Sequence, residues 1–353
     1  MPTNELDFDD LDRLVAEHYV REERHPRADL WIYNYTEKAT YNRYWTPLTM
    51  ACRGLILDAD RTVVARPFPK FFNLGEHQTD LPTEPFEVFE KLDGSLGIMY
   101  WLEGEPYIST RGSFVSQQAQ IANALLRERY AGCTWDRRLT YLFEIIAPET
   151  RLVVDYGDRR ELVLLAAIET ATGREWPLRE AAVKGIGLVP SYGLSTDPWA
   201  LLDKERDREN AEGYVIWFPS SGLRLKVKFQ EYVRLHRLIT GVTQRRIWEA
   251  LKDGMGLEEM LDRVPADYAA WVQQQAEELL TQYRSLMDKA EAAFREVSAA
   301  TGTADRRAFA LHAQREFGPY QHLMYAMLDG KPADELIWKM IRPAATRAFK
   351  QEI

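Results

Sequence analysis

Cysteine is nearly absent from this sequence: Cys52 and Cys133 stand alone, with no CxxC pair and no Cys/His spacing. Two cysteines cannot build a disulfide framework, and the missing spacing gives no zinc site, so a reducing cytoplasm is the expected compartment. Long apolar runs are missing too. The longest, Leu162 to Ile168, is far short of the roughly 20 residues that a membrane helix needs. The stretch from Met1 to Asp12 is acidic, which argues against a secretory leader. Excess positive charge is also absent, the formal net charge being -9. A protein that coats nucleic acid by bulk electrostatics needs the opposite sign, because such binding rests on Lys and Arg neutralising phosphates. No internal repeat or low-complexity stretch occurs, which sets repeat architectures aside.

What is present is an ordinary globular balance, 46% apolar and 28% charged residues of both signs. At 353 residues the chain exceeds the size at which single cores stop growing, so two domains are expected, 1–240 and 241–353. Between Ala51 and Phe229 short segments rich in Val, Ile, Tyr and Phe alternate with Gly, Pro and Asp. They predict strands at Gly54 to Leu57, Thr62 to Ala65, Phe86 to Phe89, Leu96 to Trp101, Tyr107 to Thr110, Thr140 to Ile146, Leu162 to Ile168, Gly213 to Phe218 and Leu223 to Phe229. Gln117 to Arg129 reads as a helix with an apolar stripe of Ile121, Leu125 and Leu126. After Thr240 the texture turns helical. From Asp267 to Ala299 apolar residues recur at steps of three and four, Gly302 closes the run, and Thr303 or Asp305 can start the next helix. The fold class is therefore α+β, antiparallel or mixed sheets with flanking helices followed by an all-α C-terminal domain. Locally the charge differs from the average. From Arg224 to Arg246 the basic residues Arg224, Lys226, Lys228, Arg234, Arg237, Arg245 and Arg246 face one acid, Glu231, so a positive surface is expected there.

The most informative segment is Lys91-Leu92-Asp93-Gly94-Ser95, a lysine placed between an apolar strand and a Gly turn. Alone it has too few fixed letters to separate a reactive lysine from a surface lysine beside an ordinary Asp-Gly turn. It has company in a definite order. Upstream stand Tyr33-Asn34-Tyr35, Cys52-Arg53-Gly54 and Arg66-Pro67-Phe68-Pro69-Lys70-Phe71-Phe72-Asn73. Downstream stand Ser109-Thr110-Arg111-Gly112-Ser113, Phe143-Glu144-Ile145-Ile146-Ala147-Pro148, Glu212-Gly213-Tyr214-Val215, Leu225-Lys226-Val227-Lys228 and Tyr232-Val233-Arg234-Leu235-His236. As a set, over about residues 31 to 236, these segments resemble the covalent nucleotidyltransferases and, within them, the type 1 RNA ligases of T-even phages. Beyond Thr240 the likeness is loose, resting on helical character and on Lys252-Asp253-Gly254.

That resemblance implies an ATP-dependent RNA ligase acting in three steps. Lys91 takes AMP from ATP, AMP passes to an RNA 5′-phosphate, and an RNA 3′-hydroxyl then expels it. It implies catalytic roles for Lys91, Glu144, Glu212, Lys226 and Lys228, with Arg53, Lys70 and Arg111 on phosphates. Glu144 is expected on the ribose, while Glu212 with Glu258 and Glu259 would hold Mg²⁺ or Mn²⁺. Tyr33, Phe72, Gly94 and Tyr232 would stand near the nucleotide. For Tyr33 and Phe72 core packing is an equal alternative, as turn geometry is for Gly94. The phage pattern usually has lysine where Arg111 stands. A lysine amine must be neutral to attack phosphorus, so the pKa of Lys91 is expected to be depressed by Lys226, Lys228 and the metal. Alternation places Lys226 and Lys228 on one strand face, with Leu225, Val227 and Phe229 toward the core. Implied partners are RNA ends and a structured RNA such as tRNA. Competing readings are a DNA ligase, a capping guanylyltransferase, which the helices in place of an OB-type domain oppose, and a non-catalytic RNA-end or nucleotide sensor.

Overall fold

The computed structural model describes residues 8–76, 80–204, 208–344 and 348–349, so most of the acidic start lies outside the described residues. The chain divides into two compact units, Met1–Val233 and Arg234–Ile353. Among the described residues no helix is long and apolar enough to cross a membrane.

In chain order the strands of the first unit are β1 (Val20–Arg24), β2 (Leu30–Tyr35), β3 (Arg53–Asp58), β4 (Val63–Ala65) and β5 (Phe72–Asn73). They continue as β6 (Phe86–Lys91), β7 (Ser95–Leu102), β8 (Glu105–Ser109), β9 (Leu139–Ile146) and β10 (Glu161–Glu169). The remainder are β11 (Glu175–Trp176), β12 (Gly187–Leu188), β13 (Ser191–Ser195), β14 (Gly213–Trp217) and β15 (Arg224–Lys228). The first sheet runs β1-β2-β3-β4, the second β13-β6-β14-β15-β5, and the third β11-β10-β9-β7-β8 with β12 beside β10. Pairing is antiparallel except for β15 with β5 and β10 with β12, so the assembly is mixed. Each strand predicted from the sequence is present within a residue or two. β1, β2, β5, β11, β12 and β13 were not anticipated.

Period-two alternation builds the layers. On β2 and β3, Ile32 and Ile56 face the third sheet and pack on Ile98, Tyr100, Leu142 and Ala166. The opposite face, with Tyr33, Leu55 and Leu57, packs under the helix Leu11–Ala16. The helix Gln117–Glu128 covers the outer face of the third sheet, where Ala122 and Leu126 meet Met99, Phe143 and Leu164. In the second sheet Phe86, Val88, Tyr214, Ile216, Leu225 and Val227 form one buried face. The other face turns Phe89 toward Ile146 and Val163 of the third sheet. Along β9, Leu142 therefore packs against the first sheet and Ile146 against the second, and Glu144 points between them. Charged side chains from all three sheets converge at this position, and the space between them is the candidate cleft.

Among its described residues the second unit is helical apart from one isolated bridge, Thr243 to Ala348. Its longest helix is Ala266–Thr301, which buries Tyr268, Val272, Ala276, Leu279, Ala290 and Val297 and ends at Gly302 with φ of 73°. Asp305 caps the following helix, Arg306–Phe317, by accepting the amides of Arg307 and Ala308. Phe309, Ala313 and Met324 close the core against Val297. The predicted stripe is core, with Tyr283, Leu286 and Phe294 half-buried.

Candidate active site

Lys91 ends β6, and its register across the sheet sets the centre of the cleft. Gly213 of β14 lies opposite Lys91 on one side and Lys228 of β15 on the other. A side chain at 213 is not tolerated: φ is 148°, and a Cβ would lie 2.0 Å from the Val227 carbonyl oxygen. The residue before it, Glu212, is only 4% exposed and fills the space between the two lysines. Its Oε2 meets Lys91 Nζ at 2.8 Å and its Oε1 meets Lys228 Nζ at 3.1 Å. Burial alone would lower the Lys91 pKa, but the Glu212 and Glu144 carboxylates outweigh it and hold the ammonium above its ordinary value. The expected depression of Lys91 is thus reversed in this state, because a buried carboxylate stands closer than any cation.

Glu144 is pushed up to about 8 by burial and by Glu212 and Asp93, against the pull of Lys91. Its Oε1 accepts the Gly94 amide at 2.9 Å. Gly94 is needed for that approach, since a Cβ there would lie 2.6 Å from the Ile145 carbonyl oxygen and 2.9 Å from Glu144 Cγ. The Gly94 backbone is thus held close against β9.

Asp93 was not singled out as a site residue, yet it knots the turn. It is 3% exposed, and its Oδ2 accepts the amides of Val153 at 2.8 Å and Val154 at 2.7 Å. Its Oδ1 accepts the Tyr232 hydroxyl at 2.8 Å, and its own amide donates to Tyr156 Oη at 2.8 Å. Tyr232 is thus a buried support beneath Lys228, whose Nζ lies 5.1 Å from its ring centroid. Burial, Glu212 and Asp93 raise its phenol pKa.

The other half of the cleft holds cations without carboxylates. Arg53, Lys70, Arg111 and Lys226 have no acidic group within salt-bridge distance among the described residues. Arg53 is half-buried with its Nη1 buried and without a hydrogen-bond partner, and the desolvation of its guanidinium lowers its pKa. Lys226, on the same β15 face as Lys228, is pushed down to about 6 by burial and by Arg53, Lys91, Lys70 and Lys228. Aromatic rings hold this group. Phe71 lies under Arg53 at 5.4 Å and under Lys226 at 4.8 Å. Lys70 Nζ sits among Trp45 at 5.0 Å, Phe72 at 5.2 Å and Tyr35 at 5.5 Å. Arg111 Nη1 donates to Tyr35 Oη at 3.4 Å and stacks over that ring.

Tyr33 faces away from these cations. Tyr33 is 8% exposed and packs with Leu11, Leu14, Leu48 and Cys52 on the far face of its sheet. Of the two roles open to it, core packing is the one it fills, and Tyr35 reaches the cations instead. Glu258 and Glu259 are exposed on the short helix Glu258–Leu261 of the second unit. No group of three or more His, Cys, Asp or Glu gathers among the described residues to hold a metal. The basic run from Arg224 to Arg246 is also not one positive surface. Arg224 is tied bidentately to Glu175 at 2.7 and 2.9 Å, and Lys228 is tied to Glu212. Arg234 bonds the carbonyls of Asp262 and Arg263, and Arg245 pairs with Glu249.

The donor set fits a polyphosphate and a hard cation. A buried guanidinium nitrogen without a partner matches an anion, and Mg²⁺ takes one or two carboxylates with phosphate oxygens, which Glu212 and Glu144 can supply. A family model described as RNA ligase matches residues 51–233. A Thermovibrio ammonificans protein named "Putative RNA ligase" is 34% identical over 218 residues, 55% of this chain and 55% of that protein. The RNA ligase of Rhodothermus phage RM378 is 23% identical over 297 residues, 63% of this chain and 67% of that one. Among solved structures an archaeal ATP-dependent RNA ligase is 15% identical, covering 93% of this chain and 96% of its own, at a TM-score of 0.44. The chain spans about half the length of the first of these relatives.

Proposed function

The chain belongs to the RNA ligase family, and from that premise we propose that it is an ATP-dependent ligase joining RNA 5′-phosphate and 3′-hydroxyl ends through a lysyl-AMP on Lys91. The observation that carries the reading is the Lys91–Glu212 contact of 2.8 Å beside an anion-ready cation group. Lys91 Nζ forms a bond to the α-phosphorus of ATP while the bond to the bridging oxygen breaks and pyrophosphate leaves. The amine first gives up a proton, and the nearest acceptor is Glu212 Oε2. Arg53, Lys70, Arg111 and Lys226 orient the phosphates and stabilise the charge that develops on them. Glu212 and Glu144 are the carboxylates that would hold a bound Mg²⁺, which would further neutralise that charge. AMP then passes to the oxygen of an RNA 5′-phosphate. Attack by a 3′-hydroxyl on that phosphorus forms the phosphodiester and releases AMP. Under this reading residues 1–240 form the adenylyltransferase domain and 241–353 select the RNA, with tRNA the candidate class. Residues 241–353 carry fifteen Lys plus Arg against seventeen Asp plus Glu, so charge alone does not mark an RNA surface there. Cys52 and Cys133 are both free thiols, in keeping with work in the cytoplasm.

Incubation with α-labelled ATP and Mg²⁺, then with 5′-phosphorylated RNA or DNA, tests the reading. Protein labelling by ATP but not GTP, discharged by RNA, is expected. Labelling by GTP points to a capping enzyme, discharge by DNA alone to a DNA ligase, and no labelling to a sensor.

A further inference from the structure

Trp45 belongs to none of the motifs from which the site was predicted, yet it organises the cation half of the cleft. Its ring stands edge-on to Tyr35 at 5.2 Å and 88°, and to Phe72 at 5.9 Å and 74°. With those two it forms a three-ring cage around Lys70 Nζ. One short helix, Pro47–Ala51, anchors both partners. Thr46 caps it directly after Trp45, with Thr46 and Thr49 exchanging hydrogen bonds, and the Lys70 amide donates to the Met50 carbonyl oxygen at 2.7 Å. The cage therefore has a fixed relation to the lysine backbone.

The physical consequence follows from what a ring face does to a cation. A carboxylate beside Lys70 would hold it by neutralising it and would compete with an incoming anion. An aromatic quadrupole attracts the ammonium while leaving its full charge on offer, and it limits the rotamer freedom that a free lysine would lose on binding. We propose that Trp45 is a positioning residue that fixes Lys70 at the anion-binding half of the cleft, and so sets that half's affinity for a polyphosphate. This rests on the reading of the cleft as a polyphosphate site.

Calorimetric titration of the full chain with inorganic pyrophosphate in metal-free buffer tests it. Trp45→Leu should weaken binding by roughly five- to tenfold, whereas Trp45→Phe, which keeps a ring, should stay within about threefold of wild type. Because Trp45 acts through Lys70, adding Trp45→Leu to Lys70→Met should cost nothing beyond Lys70→Met alone. That comparison holds even if the leucine variant is less stable. In adenylation assays the KM for ATP should rise with kcat unchanged. Overturning results are no pyrophosphate binding by wild type, wild-type affinity in Trp45→Leu, equal losses in the leucine and phenylalanine variants, or a Trp45 effect that survives without Lys70. Binding in the expected pattern by a chain that takes no label from ATP keeps this inference and removes the ligase reading. A labelled chain whose affinity ignores Trp45 does the reverse.

Discussion

The two halves of the cleft hold their positive charge by different means. Around Lys91 and Lys228 the cations are paired with a buried carboxylate, Glu212, and backed by Glu144 and Asp93. Around Lys70 and Lys226 they are held by Phe71, Phe72, Tyr35 and Trp45, with no acid at salt-bridge distance among the described residues. The first arrangement holds Lys91 in its protonated form with a proton acceptor in contact. The second leaves Arg53, Lys70 and Arg111 without a paired carboxylate among the described residues and holds Lys226 down near 6, so that an arriving anion would favour its protonated form. Lys226 and Lys228 are two residues apart on one strand face, and they differ because Glu212 reaches only one of them.

Breaking the uncompensated half should give the largest effect. Lys226→Met deletes an amine that takes up its charge when a phosphate arrives, so adenylate formation should fall on the order of a hundredfold or more. Stability should move the other way. Lys226 is held near 6 in the fold against 10.5 when free, so the unfolded chain binds more protons between those values and stability rises with pH across that window. The penalty is full below about 6 and fades toward 10.5. The methionine variant should therefore melt several degrees higher than wild type at pH 6, with the gap closing by pH 10. Equal melting at pH 6, or a loss there, contradicts the uncompensated-charge account.

The smallest effect sharpens the contrast from outside the cleft. Tyr33→Phe removes a hydroxyl from a residue that sits opposite Glu22 and packs on the far face of the sheet, so adenylation should stay within about twofold of wild type, with at most a modest stability loss. A tenfold rise in the KM for ATP would return Tyr33 to the site.

Strands and helices were legible because alternation and the 3.6 period record which face is buried. The strand pair before Ala51 was not: β1 is Val-Arg-Glu-Glu-Arg, an edge strand with little apolar signal. The choice between Tyr33 and Tyr35 was hidden by a bulge in the β2–β3 register between Tyr33 and Asn34, which sequence spacing does not display. Lys91, Glu144, Glu212 and Lys228 of this half were named from the sequence, but the sign of the Lys91 shift was not, since it turns on a 2.8 Å contact. Asp93 read as a turn residue because its partners lie 60 and more positions away, at Val153, Val154 and Tyr232. The cage was invisible for the same reason, Trp45 and Lys70 being joined only through tertiary packing.

The central claim is that Lys91 is the nucleophile. Its most direct test is peptide mapping by mass spectrometry after incubation with ATP and Mg²⁺, beside the same experiment on Lys91→Ala. The account predicts one AMP adduct, on the peptide containing Lys91, and none in the variant. The variant should still seal pre-adenylylated RNA in part, because only the first step needs the amine. An adduct on another lysine, or one that survives in Lys91→Ala, would contradict it.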